Sequence, residues 1–237
     1  MPDRHTLHII VPFYNPDPGW EKLICEKFHE LAAALPNADI KFTLVNDGST
    51  SGYDEKKLDS LISSIPALTI TGYEKNKGKG YAIRYGLKDA VADYFIYTDV
   101  DFPYTLQSMV SVYNDLLDNA DIVAGIRETD YYEKLPMKRV FISKLVKYLI
   151  KHLLHTEITD TQCGLKGFNN KGRKIFLQTT LNGFLFDMEF VKLASANRNI
   201  ILKPRIVCPK HDISFSHMNY KILIRETFNF VRLILFK

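Results

Sequence analysis

Short apolar runs alternate with longer segments of helical spacing through the first half of the chain. Each run stops at or just before a proline, glycine or acidic residue, as strands do where they reach the edge of a sheet. Strands alternating with helices in this way predict βαβ units and a mainly parallel sheet flanked by helices, an α/β fold. The predicted strands are residues 7–11, 40–45, 68–71, 94–98 and 122–124, and the predicted helices are residues 20–35, 53–65, 81–91 and 106–117.

The second half of the chain has a less regular pattern. It predicts a helix at 135–154, a short strand or turn at 164–168, a helix at 187–197, a strand at 200–207 and a final helix from about 219. We expect one domain over residues 1–210, followed by a tail, 211–237, that can associate with a membrane.

Polar signatures follow three of the predicted strands. They are 12–15 (Pro-Phe-Tyr-Asn), 46–49 (Asn-Asp-Gly-Ser) and 99–101 (Asp-Val-Asp). Ligands of open α/β sheets bind outside the carboxyl ends of the strands, so these segments are expected to converge on one edge.

Two carboxylates, Asp99 and Asp101, appear immediately after the apolar run 94–97. Side chains at i and i+2 of a strand point to the same face, so the pair can project together. Hard oxygen ligands suit Mg²⁺ or Mn²⁺, which keeps other positions open for substrate phosphates. The pair therefore suggests a metal-assisted reaction on a phosphorylated substrate, although a turn rich in aspartate is the simpler alternative.

Two loops add candidate nucleotide contacts. Asp47 can accept a hydrogen bond from a base imide and Gly48 permits a turn of positive φ, or the segment forms an Asx-turn. The loop 76–80 (Asn-Lys-Gly-Lys-Gly) precedes a helix, whose first N–H groups together with Lys77, Gly78 and Lys79 could bind phosphate. A basic solvent loop is the alternative there, and Arg84, one turn later, could face the site or solvent.

Composition and charge exclude several classes of protein. Hydrophobic residues make up 46% and charged residues 24% of the 237 positions, with a net charge of +4, as in an ordinary globular protein. The three cysteines are widely spaced, which argues against disulfides or a zinc site and fits a reducing cytosol. We expect no signal peptide, no bilayer-spanning segment and no nucleic-acid partner, because no motif for any of them is present.

Together the motifs resemble those of the family 2 glycosyltransferases, which have the GT-A (Rossmann-like) fold. The stretch 160–166 (Asp-Thr-Gln-Cys-Gly-Leu-Lys) and 186–189 (Phe-Asp-Met-Glu) are similar to the dolichyl- and polyprenyl-phosphate sugar transferases. The resemblance covers about residues 7–210. It implies a nucleotide-sugar donor, a divalent metal at Asp99 and Asp101, inversion at the anomeric carbon, and contacts from Pro12, Tyr14 and Asp47 to the base or ribose. Together with the loop residues, the expected donor site comprises Pro12, Tyr14, Asn15, Asp47, Lys77, Gly78, Lys79, Arg84, Asp99 and Val100.

The metal site departs from the pattern of related mannosyl enzymes. Those enzymes have a further polar ligand after the acidic pair, where this chain has Phe102 and Pro103. His211 is a candidate third ligand, but a lone histidine is also common at a surface or in a core.

The identity of the acceptor decides which further residues matter. A phosphate acceptor is already charged near neutral pH and needs cationic partners, for which Arg127 and Arg139 are candidates. A sugar hydroxyl would need a general base, for which Asp187 and Glu189 are candidates. The alternative for these two acids is stabilisation of a helix N-terminus.

The predicted helix 135–154 is basic and amphipathic. Its lysines lie on a face separate from the apolar residues, a pattern typical of helices on anionic bilayers, although a core helix with a solvated basic face would also fit. The sequence therefore predicts transfer of a hexose from a nucleotide sugar, UDP-glucose-like, to a polyprenyl phosphate at the inner membrane face. Transfer to a glycan hydroxyl and a non-catalytic nucleotide-sugar-binding module are the alternatives.

Overall fold

A computed structural model describes residues 4–127, 158, 160–183 and 185–210 of the chain. Its strands are β1 (His5–Phe13), β2 (Ala38–Asp47), β3 (Leu68–Tyr73), β4 (Tyr94–Tyr97), β5 (Ile122–Arg127), β6 (Lys166–Asn169) and β7 (Leu202–Val207). Its helices are α1 (Trp20–Ala34), α2 (Glu55–Ser64), α3 (Lys79–Lys88), α4 (Leu106–Leu117), α5 (Asn170–Phe176) and α6 (Phe186–Ala196).

The strands form one seven-stranded sheet in the order β3-β2-β1-β4-β6-β5-β7. Neighbouring strands are parallel except around β6, which is antiparallel to both β4 and β5. The predicted mainly parallel α/β sheet is therefore confirmed. Because β1 lies near the middle of the sheet, its carboxyl end opens beside those of β2 and β4.

Both faces of the sheet are covered by helices, which explains the continuous apolar runs. In β1, Ile9 packs into the layer formed with α1, α2 and α4, whereas Ile10 packs into the layer formed with α3, α5 and α6. Both side chains are fully buried. A central strand of this kind needs apolar residues on both faces, so the alternation of polar and apolar positions is lost.

Three details of the fold differ from the sequence prediction as follows. The helix predicted at 81–91 begins at Lys79 and ends at Lys88. The strand predicted at 164–168 begins at Lys166. Helix α5 was not predicted, because it has only 7 residues and contains Gly172. Asn169 caps it by accepting hydrogen bonds from the first backbone N–H groups of the helix.

Several predictions fall outside the described residues. These are the helices at 135–154 and from 219, and with them the basic membrane face and the tail. None of the described helices has both the length and the apolar content that crossing a bilayer requires.

Candidate active site

The three polar strand ends line a single cleft of about 550 Å³. It opens where β1, β2 and β4 end, at the edge predicted from the topology. The lining residues are Pro12, Phe13, Tyr14, Asn15, Pro16, Asp17, Asp47, Lys79, Asp99, Val100 and Asp101. Most of the residues expected to bind the donor or the metal thus lie in one cavity.

The acidic pair lies on a tight turn that follows β4. The backbone N–H of Phe102 donates to the carbonyl oxygen of Asp99 over 3.0 Å, and Phe102 has a φ of 45°. Its side chain is fully buried, with the ring stacked on Phe42 at 6.3 Å between centroids. Phe102 therefore anchors the turn in the core. The position at which related mannosyl enzymes have a further polar ligand is thus occupied here by a buried core residue.

Lys79, the first residue of α3, forms an ion pair with the acidic turn. Its Nζ lies 2.5 Å from Oδ1 of Asp99. Burial disfavours the ammonium form, but the carboxylates of Asp99 and Asp187 outweigh this effect and raise the pKa of Lys79. Burial and the nearby charge of Asp99 raise the pKa of Asp101. An additional positive charge beside Asp101 would therefore favour its ionised form.

Gly164 packs directly against Asp99. A Cβ added at Gly164 would lie 2.4 Å from Oδ2 of Asp99 and 3.3 Å from Nζ of Lys79. The neighbouring turn is held by Tyr104, whose hydroxyl oxygen accepts hydrogen bonds from the Gly164 N–H and the Cys163 thiol, each over 3.2 Å. Any side chain at this point of the cleft wall would require the Asp99 carboxylate to move.

The acidic pair fits a divalent cation that shares its coordination with a substrate. Asp99 and Asp101 supply carboxylate oxygens to the cleft, and the Asp99 side chain is 37% exposed. Within the described ranges, no group of three or more His, Cys, Asp or Glu side chains could hold a metal ion. Two carboxylates completed by phosphate oxygens and water are the set that Mg²⁺ commonly uses.

Asp47 holds the loop before α3. Its carboxylate accepts hydrogen bonds from the Tyr73 hydroxyl (2.8 Å), the Asn76 side-chain amide (3.1 Å) and the backbone N–H groups of Lys77 (2.7 Å) and Gly78 (3.0 Å). The ammonium of Lys77 lies over the Tyr73 ring, 5.0 Å from its centroid. Because the Asp47 oxygens accept these bonds, Asp47 shapes the loop as well as lining the cleft.

Asn15 connects the ends of β1 and β2. Its backbone N–H donates to Oγ of Ser49 (2.9 Å), and its side-chain oxygen accepts from the N–H groups of Thr50 (2.8 Å) and Ser51 (3.1 Å). Its φ of 45° is a conformation that asparagine tolerates well. Tyr14, the preceding residue, is 49% exposed at the cleft.

The structure places Arg84 against another loop. Its guanidinium donates to Oγ1 of Thr179 and the carbonyl oxygen of Leu181, both over 2.9 Å, and to the side-chain oxygen of Asn182. Arg84 thus ties α3 to the segment before α6, and it is not among the residues that line the cleft.

Arg127, at the end of β5, forms a bidentate ion pair with Asp160. Its Nε and Nη2 donate to the two carboxylate oxygens over 2.8 and 2.7 Å, and its backbone N–H donates over 2.9 Å. Burial opposes ionisation of Asp160, but the hydrogen bonds and charge of Arg127 lower the pKa of this carboxyl. Asp160 was not a predicted site residue, although it opens the quoted stretch 160–166.

The two candidate general bases lie in the first turn of α6 and are buried. Asp187 accepts hydrogen bonds from Nζ of Lys166 over 2.7 Å and from the Tyr97 hydroxyl. Glu189 accepts from the Thr180 N–H (2.8 Å), the Thr180 hydroxyl (2.9 Å) and the Leu181 N–H (2.8 Å). Neither acid is among the residues that line the cleft.

Lys166 completes this buried network and was missed by sequence reasoning. Its side chain is fully buried, and its ammonium donates to the carbonyl oxygens of Thr161 (2.9 Å) and Cys163 (2.7 Å) and to Asp187. A signal existed, since Lys166 ends the stretch 160–166, but a lysine within a strand does not reveal its burial. Two predicted residues, Arg139 and His211, lie outside the described ranges.

Comparison with known proteins identifies the class to which this fold and cleft belong. Residues 8–176, more than half of the chain, match the family model "Glycosyl transferase family 2", so the chain belongs to this family. The dolichyl-phosphate beta-glucosyltransferase of Dictyostelium discoideum is 26% identical over 208 residues, covering 81% of this chain and 63% of that protein. The dolichol-phosphate mannosyltransferase of Pyrococcus furiosus is 25% identical over 187 residues, covering 77% and 51%. The resemblance to polyprenyl-phosphate sugar transferases is thus confirmed, and the chain spans less than two thirds of these relatives.

Solved structures show that the fold is GT-A. Mannosyl-3-phosphoglycerate synthase from Rubrobacter xylanophilus superimposes with a TM-score of 0.69 at 16% identity, covering 97% of this chain and 72% of the other. Glucosyl-3-phosphoglycerate synthase from Mycobacterium tuberculosis, solved in complex with Mn²⁺, UDP and glucosyl-3-phosphoglycerate, has a TM-score of 0.62 at 15% identity, covering 98% and 79%.

Proposed function

We propose that this protein is an inverting, metal-dependent glycosyltransferase that moves a hexose from a nucleotide sugar to a polyprenyl phosphate. The observation that carries the proposal is the cleft in which Asp99, Asp101 and Lys79 meet. The donor is UDP-glucose-like, in keeping with the glucosyltransferase names of several relatives. The reaction takes place at the inner face of a membrane, where such a lipid acceptor resides.

The cleft has the chemistry needed for departure of a nucleoside diphosphate. Negative charge grows on the diphosphate as its bond to the sugar breaks, and positive groups already in place lower the barrier. A divalent ion held by Asp99 and Asp101 would supply such charge as a Lewis acid. The Lys79 ammonium adds a second positive group, and the exposed ring of Tyr14 offers a stacking surface for the base.

The surroundings of the candidate bases favour a phosphate acceptor over a hydroxyl. A general base must reach the proton that it removes. Asp187 already accepts hydrogen bonds from Lys166 and Tyr97, and Glu189 holds the backbone of the loop 180–181. A phosphate monoester needs no such base, because it is already charged near neutral pH.

A donor and acceptor panel with purified protein tests the proposal. UDP-glucose and GDP-mannose are each incubated with Mg²⁺ or Mn²⁺ and with a short polyprenyl phosphate or an oligosaccharide. We expect metal-dependent release of nucleoside diphosphate and a glycolipid product with the phosphate acceptor. A product on the oligosaccharide alone would overturn the acceptor assignment, and no transfer with any pair would overturn the function.

Replacing the acidic pair tests the residues behind the activity. Asp99→Asn and Asp101→Asn should each lower kcat by about 10²–10³-fold, the cost of losing one charge-stabilising group. Thermal unfolding should change little, since both side chains border the cleft. Asp118→Asn is the matched control, because Asp118 is exposed at the end of α4. Undiminished transfer in both cleft variants would exclude this site.

A further inference from the structure

The ion pair between Lys79 and Asp99 occupies the position from which Asp99 would bind a cation. Oδ1 of Asp99 is 2.5 Å from the ammonium, and Oδ2 packs against Gly164. One oxygen therefore faces a positive charge and the other faces the cleft wall. A cation can therefore bind Asp99 and Asp101 together only if the Lys79 side chain moves.

The described residues alone offer a divalent ion few ligands at this point. Among the residues that the structure describes, no third acidic, histidine or cysteine side chain joins Asp99 and Asp101. Because Asp99 is paired with the Lys79 ammonium, the negative charge of Asp99 is already neutralised. A nucleoside diphosphate would bring both additional oxygen ligands and a new partner for Lys79.

The backbone that carries Lys79 is fixed, whereas its side chain can rearrange. Asp47 holds the N–H groups of Lys77 and Gly78, and the Gly80 N–H donates to the Asn182 carbonyl oxygen over 2.9 Å. The Lys79 side chain is 25% exposed, and a lysine has four rotatable bonds beyond its Cα. Its ammonium can therefore change partner without movement of the helix.

We propose that Lys79 is an exchangeable counterion, which neutralises Asp99 until a metal-bound nucleoside diphosphate arrives and then pairs with the diphosphate. The metal consequently binds well only together with the nucleotide. This inference rests on the proposed function and adds an order of binding to it. The thermodynamic consequence is mutual: UDP or GDP tightens binding of the metal, and the metal tightens binding of the nucleotide by the same factor.

Binding of Mn²⁺, followed by electron paramagnetic resonance of the free ion, tests the exchange without any acceptor. Affinity is measured alone and with UDP or GDP, for the wild type, Lys79→Met and Lys79→Gln. Without nucleotide, both variants should bind Mn²⁺ about tenfold more tightly than the wild type, because Asp99 is released. With Mn²⁺ present, both should bind the nucleotide about tenfold more weakly. A role that was only structural would weaken both kinds of binding.

The control is Lys75→Met, which removes the same charge from an exposed position of the same loop. It should change Mn²⁺ affinity less than about twofold, as expected for a solvent-screened charge. Metal binding that UDP or GDP enhances but that the Lys79 variants leave unchanged would overturn the exchange and leave the proposed function standing. Absence of Mn²⁺ binding in every protein and condition would overturn both. If the variants fail to fold, enhancement of less than twofold in the wild type would still contradict the proposal.

Discussion

The charged residues on the two sides of the sheet's carboxyl edge lie in different environments. One side, where β1, β2 and β4 end, is called the donor side because the proposed donor cleft lies there. Its residues Asp99 and Lys79 border the cleft and remain partly exposed. On the far side, around β6 and α6, Lys166 and Asp187 are buried and form an ion pair with each other. A charged residue in a motif is thus available for chemistry only where the fold leaves it access to a ligand.

The difference has a physical cause in desolvation. A buried charge is tolerated only when it is paired and its hydrogen-bonding capacity is satisfied. The Lys166 ammonium has three acceptors, the oxygens of Thr161, Cys163 and Asp187. Through these contacts it supports the turn whose Gly164 packs against Asp99. The far side therefore serves the cleft as a scaffold.

Breaking the Lys166–Asp187 pair should have the largest effect and would test this comparison most directly. Lys166→Met and Asp187→Asn each leave a buried partner without its counterion, which costs about 3–5 kcal/mol of unfolding free energy. Chemical denaturation measures the loss. Transfer activity, normalised to the folded fraction, should fall much less than in Asp99→Asn.

The double variant serves as the control for that experiment. Lys166→Met with Asp187→Asn should be more stable than the sum of the single losses predicts, because no unpaired charge remains. A different result would contradict the scaffold assignment: if Asp187→Asn retained full stability but lost transfer, Asp187 would be acting as the general base.

Sequence reasoning succeeded where local pattern and topology agree. The strand ends of 12–15, 46–49 and 99–101 converge on one cleft because parallel strands present their carboxyl ends at one edge of the sheet. No long-range information was needed to expect Asp99 and Asp101 side by side. The buried apolar runs of β1 and β2 were equally readable, since both of their faces are covered.

Long-range pairings could not be read from the sequence. The partners of Arg127, Asp187 and Arg84 are 33, 21 and 95 residues away along the chain, respectively Asp160, Lys166 and Thr179. Which of these charges meet each other and which meet a ligand is decided by the packing of α6 and by the antiparallel insertion of β6. That strand breaks the simple alternation from which the rest of the sheet was predicted.

As the pH falls, the protein should lose stability through His8 in the donor-side strand β1 first. The stability contributed by the paired acids of the far side should be lost only at lower pH. His8 in β1 is buried, with Nε2 within 2.7 Å of Oγ1 of Thr43, and within the described part of the chain its Nδ1 has no hydrogen-bond partner. Burial, aided by the charge of Lys41, lowers the pKa of His8 from 6.5 to about 4. Below pH 6.5 the unfolded chain therefore binds a proton that the folded chain refuses. Stability falls by about 3 kcal/mol between pH 6.5 and 4.

Urea unfolding at a series of pH values measures this loss, with His8→Gln as the comparison. Glutamine can keep a hydrogen bond to Thr43 but does not titrate, so its stability should be nearly flat over that interval. The contribution of Asp160, whose pKa Arg127 lowers, is lost only as the pH falls below the ordinary aspartate value. An equal slope in wild type and His8→Gln between pH 6.5 and 4 would show that His8 is not responsible.

Tyr73→Phe should have the smallest effect and would locate the boundary between scaffold and site on the donor side. The Tyr73 hydroxyl donates to Asp47, and burial together with this hydrogen bond raises the pKa of Tyr73 far above neutrality, so it stays a donor. Phenylalanine keeps the ring beneath Lys77 and beside Tyr81. Losing one hydrogen bond, worth about 1 kcal/mol, should raise the donor KM about fivefold with little change in kcat.

The matched control for this variant is Tyr85→Phe. Tyr85 belongs to the same ring cluster, 5.3 Å from Tyr73, and is 39% exposed, but its hydroxyl is not one of the Asp47 donors. Initial-rate kinetics with varied nucleotide sugar should therefore separate the two variants by KM alone. An equal KM for both would mean that the remaining donors, Asn76, Lys77 and Gly78, hold the loop without Tyr73. A fall in kcat at unchanged KM would instead show that Asp47 acts on the bond-breaking step, so that a residue that shapes the loop also contributes directly to catalysis.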